Sequence, residues 1–404
     1  MTLTRTHIPY RLTFAVLTVA MMIALSGCAA APSKQVTTGR YAFWPEPPDP
    51  PRVQFLTALN SSGDVEKSKG GLDQMLYGKE TTEALALAKP YGVAIWDGRI
   101  YVCDIRSAGG VIVLDMKKQQ TRVMGATGSS AIQKAVDIAV TPDGTKYVVD
   151  QGRSAVLVFD SNERFVRAFH MREGGPVGVA VHGGQLYVSD LKAQHVKVLD
   201  RGTGQIIRTI GEPGGEDGQF VGPLGLAVDN EGNLYVSDVI RCRIQKFGPD
   251  GTFILGWGQT ANTPGNFVRP KHIKTASDGI TYIVDASFNN VQLFDEEGKV
   301  MMHFGDAGTH PGAMDLPAGL AISEADVAVF AKYVHPAFQA ERIIVVSNQF
   351  GPNRVAVYAM GRLKDGKTVD DLAGSRASVN AAPTTQPSLD VAIPGAVAPD
   401  ALNK

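Results

Sequence analysis

From Pro90 onward, apolar and polar residues alternate in short bursts that restart after a fixed interval. The clearest copy spans Gly222 to Gly258. In it Leu226-Ala227-Val228, Leu234-Tyr235-Val236, Ile244-Gln245-Lys246-Phe247 and Phe253-Ile254-Leu255 alternate with a period of two, as strands do when only one face is buried. Asn230-Glu231-Gly232 and Pro249-Asp250-Gly251 separate them with residues suited to tight turns. Pro176, Pro223, Pro270 and Pro317 recur every 47 residues, and Pro90 lies 86 before Pro176, leaving room for a shorter copy that starts near Ala135. An acid ends the second strand of successive copies at Asp104, Asp150, Asp190, Asp238 and Asp285, with Asn348 in the sixth. Six four-stranded meanders predict an all-β chain folded as a six-bladed β-propeller over residues 52–361.

A propeller must join its last blade to its first without leaving a bare sheet edge. The sixth copy has only three strands, Ala318–Ile322, Arg342–Val346 and Arg354–Tyr358, and one spare strand, Arg52–Ala58, precedes blade one. That spare strand is expected to supply the missing outer strand and close the ring. Leu72, Met75 and Leu76, in the connection that follows, are spaced as one turn of an amphipathic helix. An insertion at residues 323–340 places Val327, Phe330, Ala331 and Val334 at helical spacing, with Ser323 and Asp326 as a capping box, and predicts a short surface helix on the face opposite the strand-two-to-three loops. The tail, 362–404, has little apolar periodicity and reads as disordered.

The N-terminus changes the picture. Arg5 and Arg11 precede a charge-free run from Leu12 to Leu25, too short to span a bilayer comfortably, which ends in Leu25-Ser26-Gly27-Cys28. This ending resembles a bacterial lipobox. The resemblance implies a signal peptide over residues 1–27, diacylation of Cys28 and a tether over residues 28–51; Ala29 after the cysteine favours the outer membrane. An ordinary secretory signal cut near Ala29–Ala31 is the alternative. The stretch from Ala29 to Trp44 could extend about 50 Å at ~3.3 Å per residue.

Composition sets limits on partners. The 404 residues carry 39 basic and 40 acidic side chains, and loss of residues 1–27 removes two arginines and no acids, leaving a mildly acidic chain with no general attraction to nucleic acid. Three cysteines cannot build a disulfide framework or a four-thiolate zinc site. Cys103 and Cys242 fall in blades on opposite sides of the ring, far beyond the ~7 Å Cα limit for a bridge, and are expected as free buried thiols.

The repeat resembles the NHL family, on its proline-x-glycine start, its Tyr-Val-x-Asp second strand and the Gly-x-Phe before the next proline, seen as Gly218-Gln219-Phe220 and Gly265-Asn266-Phe267 and weakened to Gly312-Ala313-Met314. With the lipobox, Trp44-Pro45-Glu46-Pro47-Pro48 and Asn348-Gln349-Phe350-Gly351-Pro352, the chain looks closest to exported bacterial NHL lipoproteins. Such propellers include binding modules and lyases. The family's zinc lyase holds its metal with several channel histidines, whereas only His272 of the eight histidines here falls at a channel position. Gluconolactonase-like propellers have a calcium-binding Glu in the first inner strand, where this chain has Tyr91-Gly92-Val93-Ala94. No metal or cofactor is expected. The resemblance also gives the Tyr-Val-x-Asp acids a structural task, as acceptors for backbone N–H groups.

Two candidate sites remain. The proline-x-glycine glycine is kept at 92, 178, 225 and 319, but blade two has Asp137 there and blade five has Lys271-His272, on opposite sides of the ring. A ligand on the axis could meet an acid from one side and bases from the other; a buried ion pair or solvated polar residues are the alternative. The loops between second and third strands contribute Arg106, Arg153, Lys192, His195, Arg241 and Arg243 to the same face, and the entry loops add Glu173, Glu212, Glu216, Asp217, Asp306 and Asp315, as a polar docking surface or as ordinary solvated mixed charge. The expectation is a monomeric, envelope-anchored binding scaffold for a protein or glycan, non-catalytic, with a channel-mouth hydrolase or lyase built on Asp137 and His272 as the alternative.

Overall fold

Strands form where the alternation places them, and glycine or an Asx turn ends them. A computed structural model describes residues 41–66, 84–106, 109–128, 131–171 and 174–372. Cys28, the signal segment, Leu72, Met75, Leu76 and the chain after Leu372 lie outside these residues. Six antiparallel sheets follow one another, five of them running from an inner strand to a rim strand in chain order and the sixth completed at its rim by strands from before blade one. The inner strands are Pro90–Trp96, Ala135–Val140, Pro176–His182, Pro223–Val228, Pro270–Thr275 and Pro317–Ser323. Each packs against the next, and the sixth against the first, so the ring closes. Burial falls from axis to rim: in blade four, Leu234–Asp238 is wholly buried, while Phe253–Trp257 is largely solvated.

The core is not central but divided among the seams. Among the described residues, six apolar clusters fill the six junctions between neighbouring blades. Tyr101, Tyr147, Tyr187, Tyr235 and Tyr282 of the second strands are all buried there. So are Phe220, Phe267 and Met314 of the Gly-x-Phe element, which Gln219–Phe220 anchors by pairing in parallel with Glu212–Pro213. The recurrent acids tie loops to strands. Asp238 accepts from the N–H groups of Val221 (3.0 Å), Gly222 (2.9 Å) and Arg241 (3.2 Å), and Asp285 does the same for Val268, Arg269, Ser287 and Phe288.

Blade six is closed as the spare strand requires. Val53–Leu59 pairs antiparallel with Val355–Leu363, one residue later than the sequence pattern suggests. A fifth strand, Phe43–Trp44, pairs outside it and was not foreseen; it covers the edge that the closing strand would otherwise expose. The insertion forms a short surface helix of 3-10 type, Val327–Tyr333, with Ala328, Ala331 and Lys332 exposed, and it is anchored by Phe330, fully buried in the seam between blades six and one. Asp326 accepts from Gly98 N–H in blade one (2.6 Å) and from the Ser323 hydroxyl (2.7 Å), and buried Gln54 of the closing strand bonds both Tyr333 O and His335 N. The ordered chain also runs past residue 361, through a turn at Val369–Leu372 that buries Leu372.

The seams are narrowest at the axis. A Cβ on Gly178, Gly225 or Gly319 would lie 2.1–2.2 Å from the carbonyl oxygen of Leu224, Lys271 or Tyr91 in the next blade. Only glycine allows that approach. A serine one residue before the recurrent acid or Asn348 bridges each of these contacts: Ser189 Oγ donates to Leu224 O (2.7 Å), Ser237 Oγ to Lys271 O (2.5 Å), and Ser347 Oγ to Tyr91 O. Gly319→Ala therefore forces blades six and one apart and is expected to cost about 1–3 kcal/mol, as overpacking does. Thermal and urea melts of this variant against Gly184→Ala, where a Cβ meets nothing within 4 Å, check it; the control should stay within ~0.5 kcal/mol of wild type.

Candidate functional site

The glycine–serine clamp is complete in three blades; blade one keeps Gly92 but has Cys103 in place of serine, and in two blades the glycine itself is replaced. Blade two has Asp137 with Val149 in place of serine, and blade five has His272 with Val284. The larger polar side chains take over the bonding across their seams. Asp137 Oδ2 accepts from Val179 N–H of blade three (2.9 Å), and His272 Nδ1 lies 2.9 Å from Leu320 O and 3.0 Å from Leu320 N of blade six. The two also meet across the axis, with His272 Nε2 3.1 Å from Asp137 Oδ1. That oxygen accepts from Ile138 N–H as well (2.8 Å). In the imidazolium, Nδ1 donates to Leu320 O; in the neutral ring, it accepts from Leu320 N–H. In both states Nε2–H points at the carboxylate.

No ligand sits between acid and base as the sequence allowed, because they touch each other. Lys271 does not join them. Successive side chains of a strand point to opposite faces, and Lys271 Nζ lies 4.8 Å from the centroid of the Tyr91 ring instead. Burial, reinforced by Arg269 and Lys89, pushes its ammonium down to about 7. Burial and the charge of Asp137 push the Tyr91 hydroxyl up to about 12. For Asp137 burial acts upward, but His272, Lys274 and the Val179 N–H outweigh it and hold the carboxyl below its ordinary value.

The bridge floors the channel. Above it, where the inner strands begin, Tyr91, Val136, Leu224 and Lys271 leave a space of ≈ 10 Å³, enough for about one water. Below it lies a cavity of ≈ 210 Å³, lined by the far ends of all six inner strands. Cys103 and Cys242 are free and buried, and burial with the nearby Asp137 and Asp104 raises the Cys103 thiol well above its usual range. Among the described residues no three His, Cys, Asp or Glu side chains converge as metal ligands would.

The six loop residues divide into two groups. Arg106, Lys192 and Arg241 are exposed, and among the described residues their side chains form no ion pair. Arg243 opens the third strand of blade four and donates to Glu216 O (2.7 Å) and Gln219 O (2.9 Å), so it holds a loop in place. Arg153 donates to Ala131 O (3.1 Å), and His195 begins a strand, half-buried, with burial and Lys197 lowering its imidazole. Glu173 lies outside the described residues. Sequence reasoning passed over Lys89 and Arg269, each immediately before an inner-strand proline, and Lys274; the repeat itself carries the signal, since it offers a cation at equivalent positions.

Comparison with known proteins agrees with this architecture. Residues 220–247 match the NHL repeat. The fold is a six-bladed β-propeller of the NHL type. Peptidyl-glycine alpha-amidating monooxygenase A of Xenopus laevis is 26% identical over 138 residues, 33% of this chain but 13% of that protein, so the propeller corresponds to a small part of its length. A structural-genomics protein of unknown function from Bacteroides thetaiotaomicron superposes with a TM-score of 0.52 at 16% identity, over 76% of this chain and 75% of that one. XC5397 of Xanthomonas campestris, described as a gluconolactonase, gives 0.50 at 14% identity over 77% and 98%. Identities this low establish the fold alone.

Removing one partner of the Asp137–His272 bridge strands the other without its counter-charge. Asp137→Ala is expected to cost about 3–5 kcal/mol, and His272→Ala much less in that background than in wild type, giving a coupling above 1 kcal/mol in a double-mutant cycle. The carboxyl is depressed in the folded state, so its contribution is complete above the unfolded value of ~3.9 and is lost as pH falls through the lower folded value. In denaturant melts the stability difference between wild type and Asp137→Asn should be present at pH 5 and shrink as pH falls from 4 toward the carboxyl's lower folded value.

Proposed function

We propose that the propeller is a non-catalytic binding module of the bacterial cell envelope, anchored at the outer membrane through acylated Cys28, which docks an anionic protein or glycan on its upper face. The observation that carries this reading is a group of cations around the upper mouth that form no ion pair among the described residues, although Glu212, Glu216 and Asp217 are exposed in a loop of the same face. Lys89 and Arg269 lie close enough to Lys271 to lower its affinity for protons, beyond the effect of burial. Among the described residues none of them, nor Arg106, Lys192 or Arg241 in the surrounding loops, forms an ion pair. The recurrent acids nearby spend their oxygens on backbone N–H groups. Leu191, Ile240 and Phe350 are exposed among these cations, at 39%, 62% and 39%, and Lys89 Nζ lies 5.3 Å from the Phe350 ring centroid. Apolar contacts set among unpaired charge suit a partner surface.

Docking on the rim asks nothing of the channel, and chemistry at the mouth would. A hydrolase or lyase built on Asp137 and His272 needs both groups turned to a substrate, whereas each is bonded to the other and to backbone, beneath space for about one water. The ring also closes its own sheet edges, which is consistent with a monomer.

Cross-linked envelopes give the test. Wild-type bait should recover one protein or glycan that Arg106→Glu/Lys192→Glu/Arg241→Glu loses at least tenfold while melting within a few degrees of wild type. Undiminished recovery by the folded triple variant would remove this face as the docking surface. Cys28→Ser should move the protein from the membrane to the soluble fraction and abolish fatty-acid labelling. Because burial and the neighbouring cations hold Lys271 near neutrality, raising pH from 6 to 8 removes its charge and should weaken recovery.

A further inference from the structure

The larger cavity opens on the other face and has a single charged side chain in its wall. Counting from the first residue of each inner strand, the fifth position is Ala94, Ala139, Ala180, Ala227 and Ala321 in five blades and Lys274 in blade five. Five alanines show that the ring closes without a long side chain at this position. A lysine there places an ammonium among Ala, Val and Ile walls, an unfavourable location for a charge that has nothing to meet. Among the described residues Nζ has no hydrogen-bond or ion-pair partner. The flanking strands present Ala227, Val228, Ala321 and Ile322 to the same cavity. Asp137 is the one charged group acting on the ammonium, and its oxygens are already taken by His272, Ile138 and Val179.

The walls offer more than apolar surface. Each inner strand ends its sheet and is bonded on one side only, so its free edge faces the axis with backbone N–H and C=O groups. Such edges carry donors as well as acceptors, and an N–H donor beside an ammonium suits a carboxylate, which accepts hydrogen bonds and neutralises the charge. The remaining Ala, Val and Ile side chains suit a short hydrocarbon tail. A cavity of about 150 Å³ takes a benzene-sized guest, and ≈ 210 Å³ here admits a chain of about four to eight carbons.

We propose that the lower mouth of the channel is a binding site for a small aliphatic monocarboxylate, whose carboxylate pairs with Lys274 Nζ and whose tail lies against the alanine and valine walls. Burial lowers the ammonium's pKa and Asp137 opposes it, so a bound carboxylate restores the proton's hold. Binding therefore favours the charged ammonium and weakens once pH rises through the pKa of the free Lys274. The site is independent of the upper face, and loss of one leaves the other intact.

The test titrates sodium hexanoate into the full chain in mild detergent, with hexanol as the uncharged control, by calorimetry and by the lysine ε-carbon resonances. One hexanoate per chain should bind, at least tenfold more tightly than hexanol. Lys274→Met, which keeps the stem and removes the charge, should reduce hexanoate affinity at least tenfold and leave the unliganded melt unchanged or raised. Lys274→Arg should retain part of the affinity. If Lys274→Met does not fold, the wild-type resonance decides: hexanoate must shift the Lys274 titration to higher pH. Equal affinity for hexanoate and hexanol, full affinity in Lys274→Met, an unmoved lysine titration, or no binding at tens of millimolar would each overturn the proposal.

Discussion

The closest approach in this molecule, inner strand to inner strand across each seam, governs everything farther out. Where Gly178, Gly225 or Gly319 faces the neighbouring carbonyl, the blades meet at backbone distance and a serine hydroxyl holds them. Where Asp137 and His272 stand instead, a side chain occupies the seam and accepts or donates in the serine's place. The serine then disappears from the sequence, as Val149 and Val284. The backbone groups bonded differ, since the serines reach the carbonyl of the next inner strand's second residue and Asp137 and His272 the backbone of its fourth, and the first residues of all six inner strands bulge in either case.

That substitution turns a seam device into a channel device. Blades two and five are opposite in a ring of six, so two side chains at one height can reach each other across the axis, which two in adjacent blades would do without spanning it. The resulting pair is hydrogen-bonded on every side that the protein offers, which meets the condition for a buried charge to persist. It also separates two environments. Above the pair, cations crowd a mouth with room for about one water; below it, one cation faces a cavity twenty times larger. The two faces are chemically distinct because a buried bond lies between them.

The fold was legible because a propeller repeats its grammar. Prolines at 47-residue intervals, acids at strand ends and a spare strand before blade one determine blade number and closure by counting alone. What counting could not supply was distance. Asp137 and His272 could be placed on opposite sides, but whether the channel was wide enough to hold a ligand between them depends on backbone approach, which the seams decide. Lys271 was grouped with His272 although a strand turns neighbours to opposite faces. Lys274 was visible as the one break in a column of alanines, yet the glycine column drew attention because its departures were charged and paired. The Phe43–Trp44 strand left no trace because two residues carry no period.

Charge alone was also insufficient to sort the loops. Arg241 and Arg243 are two residues apart in one loop and read alike, but Arg243 starts a strand whose direction carries its guanidinium onto the carbonyls of Glu216 and Gln219. A guanidinium so engaged stiffens the loop that presents Arg241. The division of labour follows from the scaffold: groups near strand ends are captured by backbone, and groups at loop tips have none within reach. A docking face assembled this way needs no coordinated motion, because the captured cations fix the loops and the uncaptured ones meet the partner.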